Sequence, residues 1–297
     1  MDQHLPVLAD EVLRVLNPQP GETFLDATAG YGGHSEKILS RIGKNGAGYL
    51  VEQDQHAINV LRSRFTNDNR VHITQSNFRD ITEGEIPKVD MILMDLGVRS
   101  PPLDLPERGF SFRFDAPLDM RMNQASGNTA AELLANCSEG ELAKMLWEFG
   151  EERQSRRIAQ AIVSYRKTQA ITTTAQLAQI VESVKPRRGR IHPATQTFQA
   201  LRIAVNDEIG ALKQALGAFE SLLKPGGRWA VISFHSLEDR IVKQYFAQLC
   251  GVERDWMGQV VNDPTYRKVT NKAIKGDQHD NNPRARSAKL RAVEKIK

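Results

Sequence analysis

The chain has 297 residues, 40% of them hydrophobic, with a formal net charge of +4. That is enough for one large domain or two ordinary ones with a full core. No apolar run reaches the ~18 residues that a membrane-spanning helix needs, and with an early acid and no charged-then-apolar pattern in MDQHLPVLADEV no secretory signal is expected there. Cys137 and Cys250 stand alone without a CxxC, so both are expected as reduced thiols of a cytoplasmic protein and not as a zinc site or a staple. A pI near 9.0 tilts only mildly toward a polyanionic partner.

In chain order, apolar residues at 8, 12, 13, 15 and 16 predict a short amphipathic helix before Pro18. Thr23–Asp26 reads as a buried strand closed by Asp26. The stretch LDATAGYGGHSE, 25–36, then makes a turn at Gly30, Gly32 and Gly33, and helical spacing resumes over Ser35–Ile42 through Ile38, Leu39 and Ile42. A strand, a glycine turn and a helix place bare N–H groups and a positive helix end over a pocket suited to a nucleotide-like ligand. The spacing G-x-G-G lacks the third glycine of the dinucleotide fingerprint and the Gly-Lys-Ser/Thr of a P-loop. S-adenosylmethionine, with an adenosine, an amino-acid tail and no phosphate, fits better. A tight turn without a ligand is the plain alternative.

Tyr49–Val51 is the second strand, ending on Glu52. Gln55–Phe65 is the next helix, Val71–Thr74 the third strand, and VDMILM at Val89–Met94 a strand apolar on both faces that ends on Asp95. This alternation predicts a parallel sheet with helices on both sides and ligands beyond the carboxyl ends of the strands. After Asp95 the rhythm changes. Residues 97–128 are rich in Pro, Gly, Asp and Arg. Helical patterns follow at Ala130–Ala135, Glu139–Phe149, Arg153–Arg166, Thr174–Val184 and Gln196–Val205, with KPRRGRIHP at 185–193 as a break. Strand–helix logic returns with Glu208–Leu223 and the run Arg228–Phe234. The expected organisation is an α/β domain over 1–104 and 206–297 with an all-helical insertion over 105–205. Residues 259–286 read as a polar loop, and Ala288–Val293 as a last, edge strand.

Several side chains are candidates for chemistry. Glu52 lies about twenty residues past the glycine turn, where an acid grips ribose hydroxyls. Phe78 could stack on adenine and Asp80 could accept from its amino group; a core phenylalanine and a surface acid are the plain readings. Asp95 directly follows an apolar strand run, where a carboxylate is costly unless bonded or used. A cofactor or catalytic role is favoured over loop capping. Lys185, Arg187, Arg188 and Arg190 form a candidate phosphate contact, as do Arg284 and Arg286, against the alternative of solvated loops. Ser236 with Glu238 and Asp239 makes a good helix start. His235 beside them could serve as a base, but no Ser/His/Asp triad can be assembled. The seven histidines show no HxxxH or HExxH spacing, so no metal site is expected.

The motifs GGHS at 32–35, ERGFSFR at 107–113, PLDMRM at 117–122, GEERQSRRIAQAI at 150–162, HPATQTFQALRIAVN at 192–206 and SFHSLEDRIVK at 233–243 resemble those of the MraW-type ribosomal RNA methyltransferases. The resemblance runs from HLPVLADEV at 4–12 to NPRARSAKLR at 282–291. It implies a class I, Rossmann-like S-adenosylmethionine-dependent methyltransferase sheet with an inserted helical domain. It further implies methylation of the exocyclic N4 of a cytosine in small-subunit ribosomal RNA near the decoding site. The cofactor positions that it implies are Gly32, Gly33, His34, Glu52, Phe78, Asp95 and Pro102. Glu52 stands where the family usually has Asp, Arg99-Ser100 where it has Ser-Ser, and Pro102 where it has a cofactor-binding glutamine. Asp95, or a backbone carbonyl of 96–100, is the expected acceptor of the N4 hydrogens, with Arg187, Arg188 and Arg190 on RNA phosphates. The expected partner is small-subunit ribosomal RNA or the assembling subunit, with no membrane; the residues leave a homodimer open. Two other classes stay open: a same-fold methyltransferase acting on DNA or a small molecule, and a non-enzymatic RNA-binding assembly factor.

Overall fold

The computed structural model describes residues 6–97, 106–187, 189, 191–254, 256–257, 259–277 and 283–297. They divide into two compact units, Met1–Gly97 with Gly210–Lys297, and Val98–Ile209.

The first unit is built on one eight-stranded sheet. Its strands are β1 (Thr23–Asp26), β2 (Ala47–Glu52), β3 (Val71–Gln75), β4 (Val89–Asp95), β5 (Leu223–Ser233), then β8 (Tyr266–Lys268), β9 (Ile274–Lys275) and β10 (Lys289–Lys295). A separate hairpin pairs β6 (Glu253–Arg254) with β7 (Val260–Asn262). The order is β3-β2-β1-β4-β5-β10-β8, with β9 beside the start of β10. The first five strands are parallel, and β10 runs antiparallel to β5, β8 and β9. This is a doubly wound, Rossmann-like α/β sheet. Its order reverses at β1, which has β2 on one side and β4 on the other; a crevice opens beyond the carboxyl ends at such a reversal.

Alternation along the strands sorts side chains onto two faces. Phe24, Met91, Leu93, Ala230 and Ile232 point to one layer. There they meet α1 (Ala9–Leu16), α2 (Gly33–Ile42) and α3 (Gln55–Arg64) through Val12, Leu16, Ile38, Ile42, Ile58 and Leu61. Leu25, Val51, Ile92, Met94, Trp229 and Val231 point the other way. They are covered by Leu212, Leu216 and Phe219 of helix Glu208–Leu222 and by Val242 and Phe246 of helix Ser236–Leu249. Each fully buried Leu, Ile or Phe of these layers contributes roughly 1.5–3 kcal/mol.

Three expectations are corrected here. Ala288–Val293 does not form an edge strand: β10 is flanked on both sides, by β5 and by β8 with β9. Residues 259–286 are not a plain loop; they contain β7, β8 and β9, and Tyr266 of β8 is buried. The last parallel strand begins at Leu223 and not at Arg228, because Leu223 pairs with Val89 before a register shift brings Arg228 opposite Met91.

The second unit contains helices Ala130–Asn136, Glu139–Gly150, Ser155–Arg166, Thr174–Val184 and Thr195–Asn206. Reciprocal capping boxes start three of them, Thr129 with Glu132, Ser138 with Glu141 and Thr173 with Gln176. Leu134, Leu142, Leu146, Ile158, Ile162, Leu177, Phe198 and Leu201 form its core.

Candidate active site

The first unit collects its polar side chains at the carboxyl edge of β1, β2 and β4. The glycine turn takes its shape from two positive φ angles, +53° at Gly30 and +80° at Gly32, which side chains rarely tolerate. Gly32 is the N-cap of α2, so Gly33 and His34 form its first turn. The turn is tied to the neighbouring strands. Ala27 N–H donates to Leu93 O and Ala29 N–H to Val51 O, each at 2.9 Å.

Side chains complete the ties. Glu52 closes β2, and its Oε2 accepts from Gly30 N–H at 2.9 Å. Its Oε1 accepts from Gln53 N–H at 2.8 Å and Asp54 N–H at 2.9 Å. Asp95 closes β4, 9% exposed, and its N–H donates to Thr28 Oγ1 at 2.7 Å. His34 is 3% exposed and places Nε2 3.8 Å from Asp95 Oδ2. Phe78 begins a single turn of 3-10 helix after β3, capped by Asn77 and half-buried. Asn77 Nδ2 donates to Gln53 Oε1 at 3.1 Å, joining that turn to the residue after Glu52.

Gly32, Gly33, His34, Glu52, Phe78 and Asp95 thus share one edge of one sheet, at the order reversal. Asp80 is in the same 3-10 turn and exposed. Pro102, Arg99, Ser100, Arg188 and Arg190 lie outside the described residues. Arg187 is exposed in the second unit, and Arg286 is exposed in the first. Lys185 is committed elsewhere within the second unit. Its Nζ donates to Glu152 Oε2 at 2.7 Å and to Gln196 Oε1 at 2.8 Å. His235 is also engaged. It, and not Ser236, caps helix Ser236–Leu249, and its Nε2 sits 3.0 Å from Glu238 Oε1.

Sequence reasoning gave Asp26 no role beyond ending a strand. Asp26 is fully buried; its Oδ2 accepts from Ser35 Oγ at 2.6 Å and its Oδ1 from Thr28 N–H at 3.2 Å. It ties β1 to the first turn of α2 beneath the glycine turn. The available signal was the one that marked Glu52 and Asp95, a carboxylate directly after an apolar strand.

The chemistry of the edge is acidic. Glu52 offers carboxylate oxygens to a diol, Asp95 offers one to a cation or an N–H donor, and residues 27–35 contain no lysine or arginine to hold a phosphate. A cationic ligand with a ribose suits these groups better than a dinucleotide.

The family model of the MraW methylases matches residues 1–296. Ribosomal RNA small subunit methyltransferase H of Heliobacterium modesticaldum is 47% identical over 309 residues, covering 99% of each chain. The protein of the same name from Trichlorobacter lovleyi is 48% identical over 307 residues, covering 99% of this chain and 98% of that one. The chain belongs to the MraW methylase family.

Proposed function

We propose that this chain transfers the methyl group of S-adenosylmethionine to the exocyclic N4 of a cytosine in small-subunit ribosomal RNA near the decoding site. Methyl transfer follows from the family. The RNA class is that named for relatives 47% and 48% identical over nearly the whole chain. The observation that carries the reading is the convergence of the glycine turn, Glu52, Phe78 and Asp95 on the carboxyl edge where the sheet order reverses.

S-adenosylmethionine supplies a methyl on a sulfonium, which needs no further activation of the leaving group. Glu52 accepts from the ribose hydroxyls, and Phe78 lies along the adenine. The glycine turn, bare of side chains at Gly30, Gly32 and Gly33, takes the amino-acid tail against its backbone. Asp95 acts on the acceptor base. Cytosine N4 is a poor nucleophile because its lone pair is delocalised into the ring. A carboxylate accepting from the N4–H localises that pair. As the N4–C bond forms and the C–S bond breaks, the N4 proton passes to Asp95. Thr28 fixes the backbone of Asp95, and His34 stands beside its carboxylate. The base leaves its stack to reach the pocket, at a cost of roughly a few kcal/mol. Arg187, Arg188 and Arg190 are the proposed contacts for the flanking phosphates. The reaction belongs in the cytoplasm with the assembling subunit, and among the described residues no helix is long and apolar enough to cross a membrane.

The test is methyl transfer from labelled donor to small-subunit RNA, with the product mapped by mass spectrometry. Wild-type protein should yield N4-methylcytosine, and Asp95→Ala should lose about 100-fold or more in turnover while remaining folded. Near-normal turnover by Asp95→Ala would remove Asp95 from the reaction. Methyl appearing on DNA or on a small molecule, and not on RNA, would refute the substrate.

A further inference from the structure

Helix α3 packs against the glycine turn. Arg64 is its last residue. Arg64 Nη1 donates to the Tyr31 carbonyl at 2.9 Å, between Gly30 and Gly32. Arg64 Nη2 pairs with Glu36 Oε2 at 2.5 Å, in the first turn of α2. One guanidinium therefore spans the turn and the helix that the turn opens. The helix touches the turn elsewhere too. A Cβ on Gly32 would lie 2.6 Å from Phe65 Cε2 and 3.0 Å from Leu61 Cδ2. The His56 ring meets Tyr31 edge-on with centroids 6.0 Å apart. Gly30 N–H is held by Glu52.

We infer that Arg64 is a positioning residue for the methyl donor, its bond to the Tyr31 carbonyl fixing the shape of the glycine turn that the donor meets. The inference rests on the reading that this turn binds S-adenosylmethionine. Gly30 and Gly32 give the turn unusual backbone freedom, and whatever order the protein does not impose the ligand must. Arginine suits the task because its planar fork reaches two acceptors at once, whereas a lysine ammonium is a single point charge. The pair with Glu36 is half exposed, with side chains 35% and 59% accessible, so it contributes little by itself. The bond to the carbonyl is the working contact.

Titration calorimetry with S-adenosylmethionine tests this on the full chain without any RNA. Arg64→Ala should weaken binding by about tenfold or more. Glu36→Gln should weaken it by at most about fivefold. Arg64→Lys should recover part of the loss. In turnover the defect should appear in KM for the donor and not in kcat. Should Arg64→Ala fail to fold, Arg64→Met keeps the aliphatic stem and carries the same comparison. A lowered Tm with an unchanged donor affinity would mean a purely structural arginine and overturn the inference. A fall in kcat at constant KM would overturn it equally. If the wild type binds no donor, the proposed function fails and takes this inference with it. If the wild type binds and Arg64→Ala binds as well, only the inference fails.

Discussion

Gly32→Ala separates two costs at the glycine turn. The φ of +80° puts an alanine in the left-handed region, at about 1–2 kcal/mol. Its Cβ would also stand 2.6 Å from Phe65 Cε2 and 3.0 Å from Leu61 Cδ2. Such overpacking costs about 1–3 kcal/mol. The sum, about 2–5 kcal/mol, is a large part of an ordinary domain's stability. Urea denaturation should show the midpoint falling with the slope unchanged. In a Phe65→Leu background the closest contact is relieved while Leu61 Cδ2 stays, so Gly32→Ala should cost less than in the wild type but no less than the ~1–2 kcal/mol of the backbone. Gly33→Ala is the control. Gly33 begins α2, its φ is not positive, and its nearest neighbour is Pro6 Cβ at 3.4 Å, so stability should change little. An equal cost for Gly32→Ala in both backgrounds would refute the steric part. A cost below about 0.5 kcal/mol in the wild type would refute the described turn altogether.

Asp239 gives a pH-dependent prediction. Burial pushes its carboxyl up, but hydrogen bonds from Arg291 Nε at 2.8 Å and Lys289 Nζ at 2.9 Å, with their charges, leave it below the usual aspartate value. Its stabilisation is present above the unfolded pKa of about 3.9 and is lost as pH falls through the lower folded value. The midpoint difference between wild type and Asp239→Asn should shrink below about pH 4; a constant difference down to pH 2 would count against it. In the helical unit, Glu152 is 1% exposed and Lys185 is 28% exposed. Lys185→Met strands a buried carboxylate and should cost about 3 kcal/mol, whereas Glu152→Ala leaves an ammonium that can turn to water and should cost less. Midpoints in the opposite order would show that the pair is not arranged this way.

The parallel strands were legible because their signal is local. Val89–Met94 is apolar throughout because both of its faces are covered, and Thr23–Asp26 ends where its carboxylate begins. The helices of 130–206 were legible from period; the capping box at Ser138 and Glu141, written three residues apart, was a further local signal that went unread. Strands β8 and β9 were not. They are three and two residues long, too short for a period, and they exist because β10 offers them backbone partners. The mistaken edge at β10 has the same origin. A strand's own side chains show which face is buried, and say nothing of how many neighbours it has.

For the candidate site, Glu52 and Asp95 could be singled out one at a time, since a carboxylate after an apolar strand is a local anomaly. The partner of each carboxylate is not local. Glu52 holds Gly30 across 22 positions, and Arg64 reaches Tyr31 across 33. Lys185 read as a cation free for phosphate, yet Glu152, 33 positions earlier, claims it. Residue order alone settled the alternation of strands and helices, the glycine turn and the acids at the strand ends. Only tertiary contact decided the flanking of β10, the bond from Arg64 to the Tyr31 carbonyl and which cations are already spent. Periodicity and caps act within a few residues, whereas hydrogen bonds between side chains depend on which distant segments the closed core brings within 3 Å or so.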